Sequence, residues 1–304
     1  MYGVDRKADL IRFTKAFITN QFARFAPHWY VKYTKETGRG LKETSVDETA
    51  QYFKTCFFEY FKYLKISEDK IAAYLNDKHI LEYGPGDLPG VAIMFYAWGA
   101  KKVYCIDRFP LMTFSDFNVS VLKELLAQLP DDQRVRAEGC FNKRGDPSSG
   151  ISAAHIEYLV SKNGLSGLHS QIDLICSRAV LEHVNNLLAS FKDMENALKN
   201  GGRAIHKVDL KSHGLHRSNL LDFLTWPSFM WQLMYSEKGA PNRWRINQYK
   251  NLIDETQLNL ELIEVAESCD MEFVNQVRPN LASDFKELSD EDLSCLSFWL
   301  LLGK

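Results

Sequence analysis

The chain has 304 residues, 45% hydrophobic and 25% charged, which excludes collagen-like, low-complexity and wholly disordered classes. Lys plus Arg (37) against Asp plus Glu (39) leaves a net charge of −2 and argues against a strongly basic nucleic-acid binder. The charge is uneven: residues 1–78 carry 14 basic and 10 acidic side chains, whereas residues 251–304 carry 3 and 12, the mark of a solvated acidic face.

Residues 8–25 set Leu10, Phe13, Phe17, Ile18, Phe22 and Phe25 at three- and four-residue steps, which predicts an amphipathic helix. A looser stretch with Gly38 and Gly40 follows. Residues 50–64 repeat the helical pattern with Phe53, Phe57, Tyr60, Phe61 and Leu64. Residues 1–78 therefore read as a helical N-terminal extension and residues 79–304 as the main domain. From His79 onward strands and helices alternate. The predicted order is strand 79–83, helix 90–98, strand 103–106, helix 115–128, strand 135–137, helix 152–162, strand 172–177, helix 186–199 closed by Gly201-Gly202, and strand 204–210. A Trp-rich insertion at 211–245 leads to a helix at 246–256, a strand at 260–266 and a last strand near 295–302. Such alternation predicts an α/β fold with a doubly wound, mainly parallel sheet covered on both faces.

Six cysteines are scattered, with no CxxC and no His/Cys cluster at zinc spacing. Cys105 and Cys176 fall in apolar runs and are expected to be small buried hydrophobes. The N-terminal residues lack the apolar run of a signal peptide, and no apolar run approaches the ~18 residues of a membrane span. A reduced, cytoplasmic protein without membrane association is expected.

The strongest local signal is Leu81-Glu82-Tyr83-Gly84-Pro85-Gly86-Asp87-Leu88-Pro89-Gly90, a strand running through a glycine turn into a helix. Glycines there permit a tight turn and close approach of a ligand, and the helix N-terminus offers free N–H groups. Asp107 follows Gly86 by 21 residues, at the tip of the second strand, where a carboxylate can accept hydrogen bonds from a ribose diol. Proline replaces the third glycine of a dinucleotide fingerprint. Glu82, two residues before the first glycine, would repel a pyrophosphate and suit a cationic amino group.

In these features residues 78–304 resemble class I S-adenosylmethionine-dependent methyltransferases, with a Rossmann-like seven-stranded sheet implied. Glu82-Tyr83-Gly84-Pro85-Gly86 is similar to their first motif and Tyr104-Cys105-Ile106-Asp107 to their second. The run Asp173-Leu174-Ile175-Cys176-Ser177-Arg178-Ala179-Val180-Leu181-Glu182-His183-Val184 is similar to the fourth, in the form shared with many small-molecule methyltransferases. Leu198-Lys199-Asn200-Gly201-Gly202-Arg203 corresponds to the turn before the fifth strand. The resemblance implies S-adenosylmethionine as cofactor. Glu82, Gly84 and Gly86 would line its methionine half, Asp107 with Arg108 its ribose, and Ser177 and Arg178 its methionine moiety. Cys140-Phe141 would stand near adenine, although the acid often found there is missing.

The N-methylation tetrapeptide Asn/Asp-Pro-Pro-Tyr is absent, replaced by Cys176-Ser177-Arg178-Ala179. His206, Asp209 and His213 leave the C-terminal end of the fifth strand, the edge where ligands sit in open α/β sheets. They are candidate bases for deprotonating an acceptor hydroxyl. All three are also metal-ligand types, but no separate cluster supports a metal and none is assigned. The resemblance implies that the insertion 211–245 forms a substrate lid; in it Arg243 and Arg245 could grip an acceptor carboxylate or phosphate, and Trp231 could stack on the acceptor. Tyr30, in the extension, could reach it too, and the extension's aromatics could instead form a homodimer contact. The reading is methyl transfer to a small-molecule or sugar-like acceptor at oxygen, with no nucleic-acid partner. The alternatives are N-methylation of an amine or protein side chain, and a non-catalytic cofactor-binding subunit.

Overall fold

The computed structural model describes residues 6–34 and 45–304, so the first N-terminal residues and the stretch with Gly38 and Gly40 lie outside the described residues. Its strands are β1 (His79–Tyr83), β2 (Lys102–Asp107), β3 (Phe141–Lys143), β4 (Asp146–Ile151), β5 (Ile156–Val160), β6 (Ile172–Arg178), β7 (Leu198–Asp209), β8 (Asn259–Ser268) and β9 (Cys295–Gly303). Seven form one sheet in the order β5-β2-β1-β6-β7-β9-β8, and β3 and β4 form a separate hairpin. The ladders from β5 to β7 are parallel, whereas β9 runs antiparallel to both β7 and β8. This is the doubly wound, seven-stranded, mainly parallel sheet expected of a Rossmann-like methyltransferase fold.

Alternation along the strands splits the core by face. Ile80, Val103, Cys105, Leu174, Cys176, Ile205 and Leu301 pack with the helices Val46–Leu64, Gly90–Ala97 and Asp116–Ala127. Leu81, Ile106, Ile175, Ala204, Val208 and Leu300 pack with the helices Leu187–Ala197 and Ile246–Ile253. The helix Val46–Leu64 lays Phe53, Phe57, Tyr60, Phe61 and Leu64 into the first layer, and the Ser45 side chain accepts from the Glu48 amide at its start. A third core joins the insertion to the N-terminal helix Arg6–Phe25 through Ala16, Phe223, Trp231 and Met234. Asn20 Nδ2 donates to the Leu233 carbonyl at 3.0 Å, and Arg217 Nε pairs with Asp9 at 2.6 Å. Among the described residues no helix is long and apolar enough to cross a membrane.

Two predicted elements change type. Residues 135–137 lie within a helix, Asp131–Glu138. Pro130 and the acids Asp131 and Asp132 favour a helix start there. Residues 156–160, predicted as part of a helix, are strand β5, paired in parallel with β2 from Val103↔Ile156 to Asp107↔Val160. Ile156, Tyr158 and Val160 alternate with a two-residue period that suits a sheet edge. Strand β7 also begins earlier than predicted, at Leu198. Gly201-Gly202 therefore lies inside it, near the register shift between Ile172 and Leu174 of the β6–β7 ladder.

Candidate functional site

The C-terminal ends of β1, β2, β5, β6 and β7 all face one cavity of about 1450 Å³. The strand order reverses between β1 and β6, which splays the loops that follow and opens a crevice. Gly84, after β1, has φ +64° and donates its N–H to the Ile106 carbonyl at 2.8 Å. A Cβ at Gly84 would lie 2.4 Å from Cγ2 of Val180, so the two loops flanking the crevice touch where only hydrogen fits. Gly86 (φ +74°) also lines the cavity.

Asp107 ends β2 in the cavity wall at 8% exposure. Its Oδ1 accepts from the Arg108 amide at 2.9 Å, while Oδ2 is buried without a hydrogen-bond partner. Burial raises its carboxyl to about 6, partly offset by the backbone amides of Arg108, Phe109 and Gly86. Arg108 lines the same wall and reaches the insertion, donating to the Ser236 carbonyl at 3.2 Å. Arg178, at the end of β6, lines the cavity, pairs with Glu59 and lies 5.8 Å from the Tyr52 ring. Asp209, the last residue of β7, and His213 beyond it line the wall, and Asp209 Oδ1 accepts from the Lys211 amide at 2.9 Å. His213 holds a left-handed backbone (φ +50°), a conformation uncommon for non-glycine residues but one that His adopts more readily than most. Tyr30 reaches the cavity from the helix Pro27–Thr34.

Other expected residues stand elsewhere. Glu82 shares the parity of Ile80 and turns toward the helix Gly90–Ala97, not toward the cavity. There it meets Cys105 Sγ at 3.8 Å, and burial raises its carboxyl to about 8. Ser177 and His206 face each other across the β6–β7 ladder, Ser177 Oγ lying 2.7 Å from His206 Nδ1. His206 is 0% exposed and burial lowers its imidazole to about 3, so it is a neutral core group rather than a base open to an acceptor. Cys140 is buried in the first core, and Phe141, on β3, packs there as well. The place near β5 that they were expected to fill belongs to Lys162, Asn163, Gly164 and Leu165. This displacement follows from reading strand β5 as helix, which assigned the third parallel strand to the wrong segment.

The insertion's arginines do not grip a ligand. Arg245 is 0% exposed and donates to the carbonyls of Leu210 (3.0 Å), Asp292 (3.2 Å), Leu293 (2.9 Å) and Cys295. Arg243 donates to the Trp226 carbonyl at 2.6 Å and stacks on Trp231, whose own Nε1 donates to the Pro241 carbonyl. Each is consumed in holding the insertion together.

Three further wall features escaped the sequence. Tyr52 and Lys238 come from segments read as packing or lid. Burial lowers the Lys238 amine to about 8. His183, beside the buried Glu182, faces His213 with ring centroids 4.9 Å apart. The adjacent acid and imidazole of Glu182-His183 were the available signal for this last group.

A family model described as a methyltransferase domain matches residues 59–263. No curated protein matches the chain. Among solved structures, an S-adenosylmethionine-dependent methyltransferase from Mesorhizobium loti is 15% identical, with 76% of this chain and 92% of that one covered and a TM-score of 0.42. The geranyl diphosphate C-methyltransferase of Streptomyces coelicolor A3(2) is 14% identical, with 78% and 77% covered and a TM-score of 0.41.

Proposed function

The chain belongs to the methyltransferase-domain family, and from that premise we propose that it methylates a small, sugar-like or otherwise hydroxylated acceptor at oxygen, using S-adenosylmethionine. The observation that carries the cofactor reading is the buried, unbonded Oδ2 of Asp107 at the tip of β2, beside the Gly84–Gly86 turn. A buried carboxylate oxygen without a donor is costly, and a ribose diol supplies the donors it lacks. The cavity exceeds the ~300–1,000 Å³ common for one ligand, which suits a cofactor and a small acceptor side by side.

When bound, S-adenosylmethionine supplies an electrophilic methyl carbon on a sulfonium. The chain's own task is to hold the acceptor oxygen in line with that carbon, exclude water and remove the acceptor's proton. Asp107 and the glycine turn fix the nucleoside end. Asp209, at the end of β7, and His213 beyond it face the acceptor's side of the cavity; Asp209 would take the hydroxyl proton, the methyl–sulfur bond breaking as the carbon–oxygen bond forms and S-adenosylhomocysteine leaving as the neutral thioether. The end of β6 and its first loop residue carry Cys176-Ser177-Arg178-Ala179 in place of the N-methylation tetrapeptide, which favours oxygen over an amide or base nitrogen.

The test is transfer of an isotopically labelled methyl group to a panel of hydroxylated and amine-bearing small molecules. Labelled methyl ether, with kcat lowered ~10²-fold or more in Asp209→Asn, is expected, since a positioned base contributes about that much. Labelled amine alone, or full turnover by Asp209→Asn, would overturn the oxygen assignment.

A further inference from the structure

Glu182, His183 and His213 each offer one ligand atom, and these lie within 4.8 Å of one another. Glu182 Oε1 is 3.9 Å from Nε2 of His183 and 4.0 Å from Nε2 of His213. Glu182 is 1% exposed, and both its oxygens are buried without a hydrogen bond. Its own amide and that of Asp209 point toward the carboxylate but neither closes a bond. Among the described residues no Lys or Arg pairs with it. Buried carboxylates are ordinarily paired, hydrogen-bonded or bound to metal, and Glu182 has no hydrogen bond and beside it only two imidazoles at the outer edge of ion-pair distance. Nδ1 of His183 is likewise buried without a partner.

We propose that Glu182, His183 and His213 are the protein ligands of a divalent first-row transition-metal ion set in the wall of the cavity. One carboxylate and two imidazoles suit zinc, iron, cobalt or manganese better than the oxygen-only preference of magnesium or calcium. Bonds near 2.1 Å require ligand atoms about 3.0–3.4 Å apart, so each Glu182–imidazole pair closes by up to about 1 Å and the two imidazoles by up to about 1.8 Å. His213 sits on an exposed loop residue that can make this movement. Three protein ligands leave coordination positions open, as in catalytic rather than structural sites. His183 and His213 line the cavity, so the open positions face the acceptor. Coordination of an acceptor oxygen there rests on the methyl-transfer reading above; the metal site itself does not. With His213 engaged as a ligand, Asp209 is the group left to receive the acceptor's proton.

The test uses the untagged full chain, freed of metal by chelator and dialysed. Zn²⁺ binding is measured by calorimetry and Co²⁺ binding by visible absorption. One ion per chain is expected, with Co²⁺ bands of low-symmetry nitrogen and oxygen coordination. His213→Ala and Glu182→Gln should each weaken Zn²⁺ binding about 100-fold, since loss of a mere supporting contact costs ~10–100-fold. Circular dichroism of both variants should match wild type. No binding by wild type, or an affinity that neither substitution moves, would overturn the site. S-adenosylhomocysteine binding, measured separately, tells the two ideas apart: its absence beside intact Zn²⁺ binding defeats the methyl-transfer reading and spares the metal site.

Discussion

Two buried carboxyls, Asp107 in the cavity wall and Glu82 turned away from it, contribute to how this protein responds to pH. Asp107 is raised from 3.8 to about 6 and Glu82 from 4.5 to about 8, each chiefly by burial. On these two carboxyls the folded chain holds protons that the unfolded chain has released, so their contribution to stability is lost as pH rises from about 4 to about 8, whereas the neutral core imidazole of His206, lowered to about 3, contributes with the opposite sign below about 6.5. Glu82→Gln removes one of these buried charges while keeping a hydrogen-bond acceptor. Its Tm should match wild type at pH 5 and exceed it by several degrees at pH 9, as followed by thermal denaturation. For Asp107 the charged form is the one that receives a diol. Affinity for S-adenosylhomocysteine should therefore fall about tenfold per pH unit below about 6, a trend calorimetry across pH would show. Arg245 responds differently. Its guanidinium bonds four backbone carbonyls in a buried site, so Arg245→Met strands those acceptors and should cost about 2–4 kcal/mol of stability by denaturant titration. An acceptor-binding arginine would instead leave stability intact.

At the scale of elements, the site is made where two loops meet across the crevice. A Cβ on Gly84 would strike Val180 and would sit on a backbone that L side chains rarely adopt. Gly84→Ala should weaken S-adenosylhomocysteine binding at least about tenfold, equivalent to about 1.4 kcal/mol. Adding Val180→Ala removes the clash but not the left-handed strain, so calorimetry should show partial recovery in the double variant. Full recovery would mean that the clash alone matters. This glycine turn and Asp107 were legible in the sequence because backbone geometry and ligand chemistry dictate those residue types. Asp209 and His213 were placed on the right strand end by the same logic. His206 stands on the same strand but its side chain meets Ser177 instead of the cavity, because periodicity shows which residues share a face but not which neighbour fills it. Cys140 and Phe141 were misplaced because residues 135–137 were read as the strand beyond β2, a place that Ile156–Val160 holds. Arg243 and Arg245 looked like ligand grips because composition cannot reveal the long-range carbonyls that surround them.

Across the whole molecule, sheet edge, N-terminal helices and insertion close around one space. Tyr30 from the helix Pro27–Thr34, Tyr52 from the helix Val46–Leu64 and Lys238 from the insertion all contribute to its wall. The N-terminal helix is tied to the insertion by Arg217–Asp9 and by Lys238 Nζ donating to the Ala16 carbonyl at 3.0 Å. A ligand filling this space should thus stabilise the entire chain. S-adenosylhomocysteine at about 100 times its Kd should add about 2.7 kcal/mol to unfolding. The most direct measurement is isothermal titration of S-adenosylhomocysteine into wild type and Asp107→Ala at pH 7.5. One molecule bound per chain, with affinity at least about tenfold weaker in Asp107→Ala, is the predicted result, as loss of hydrogen bonds to a charged group costs about 1.5–3 kcal/mol. No binding by wild type, or equal affinity in the two proteins, would contradict the cofactor site.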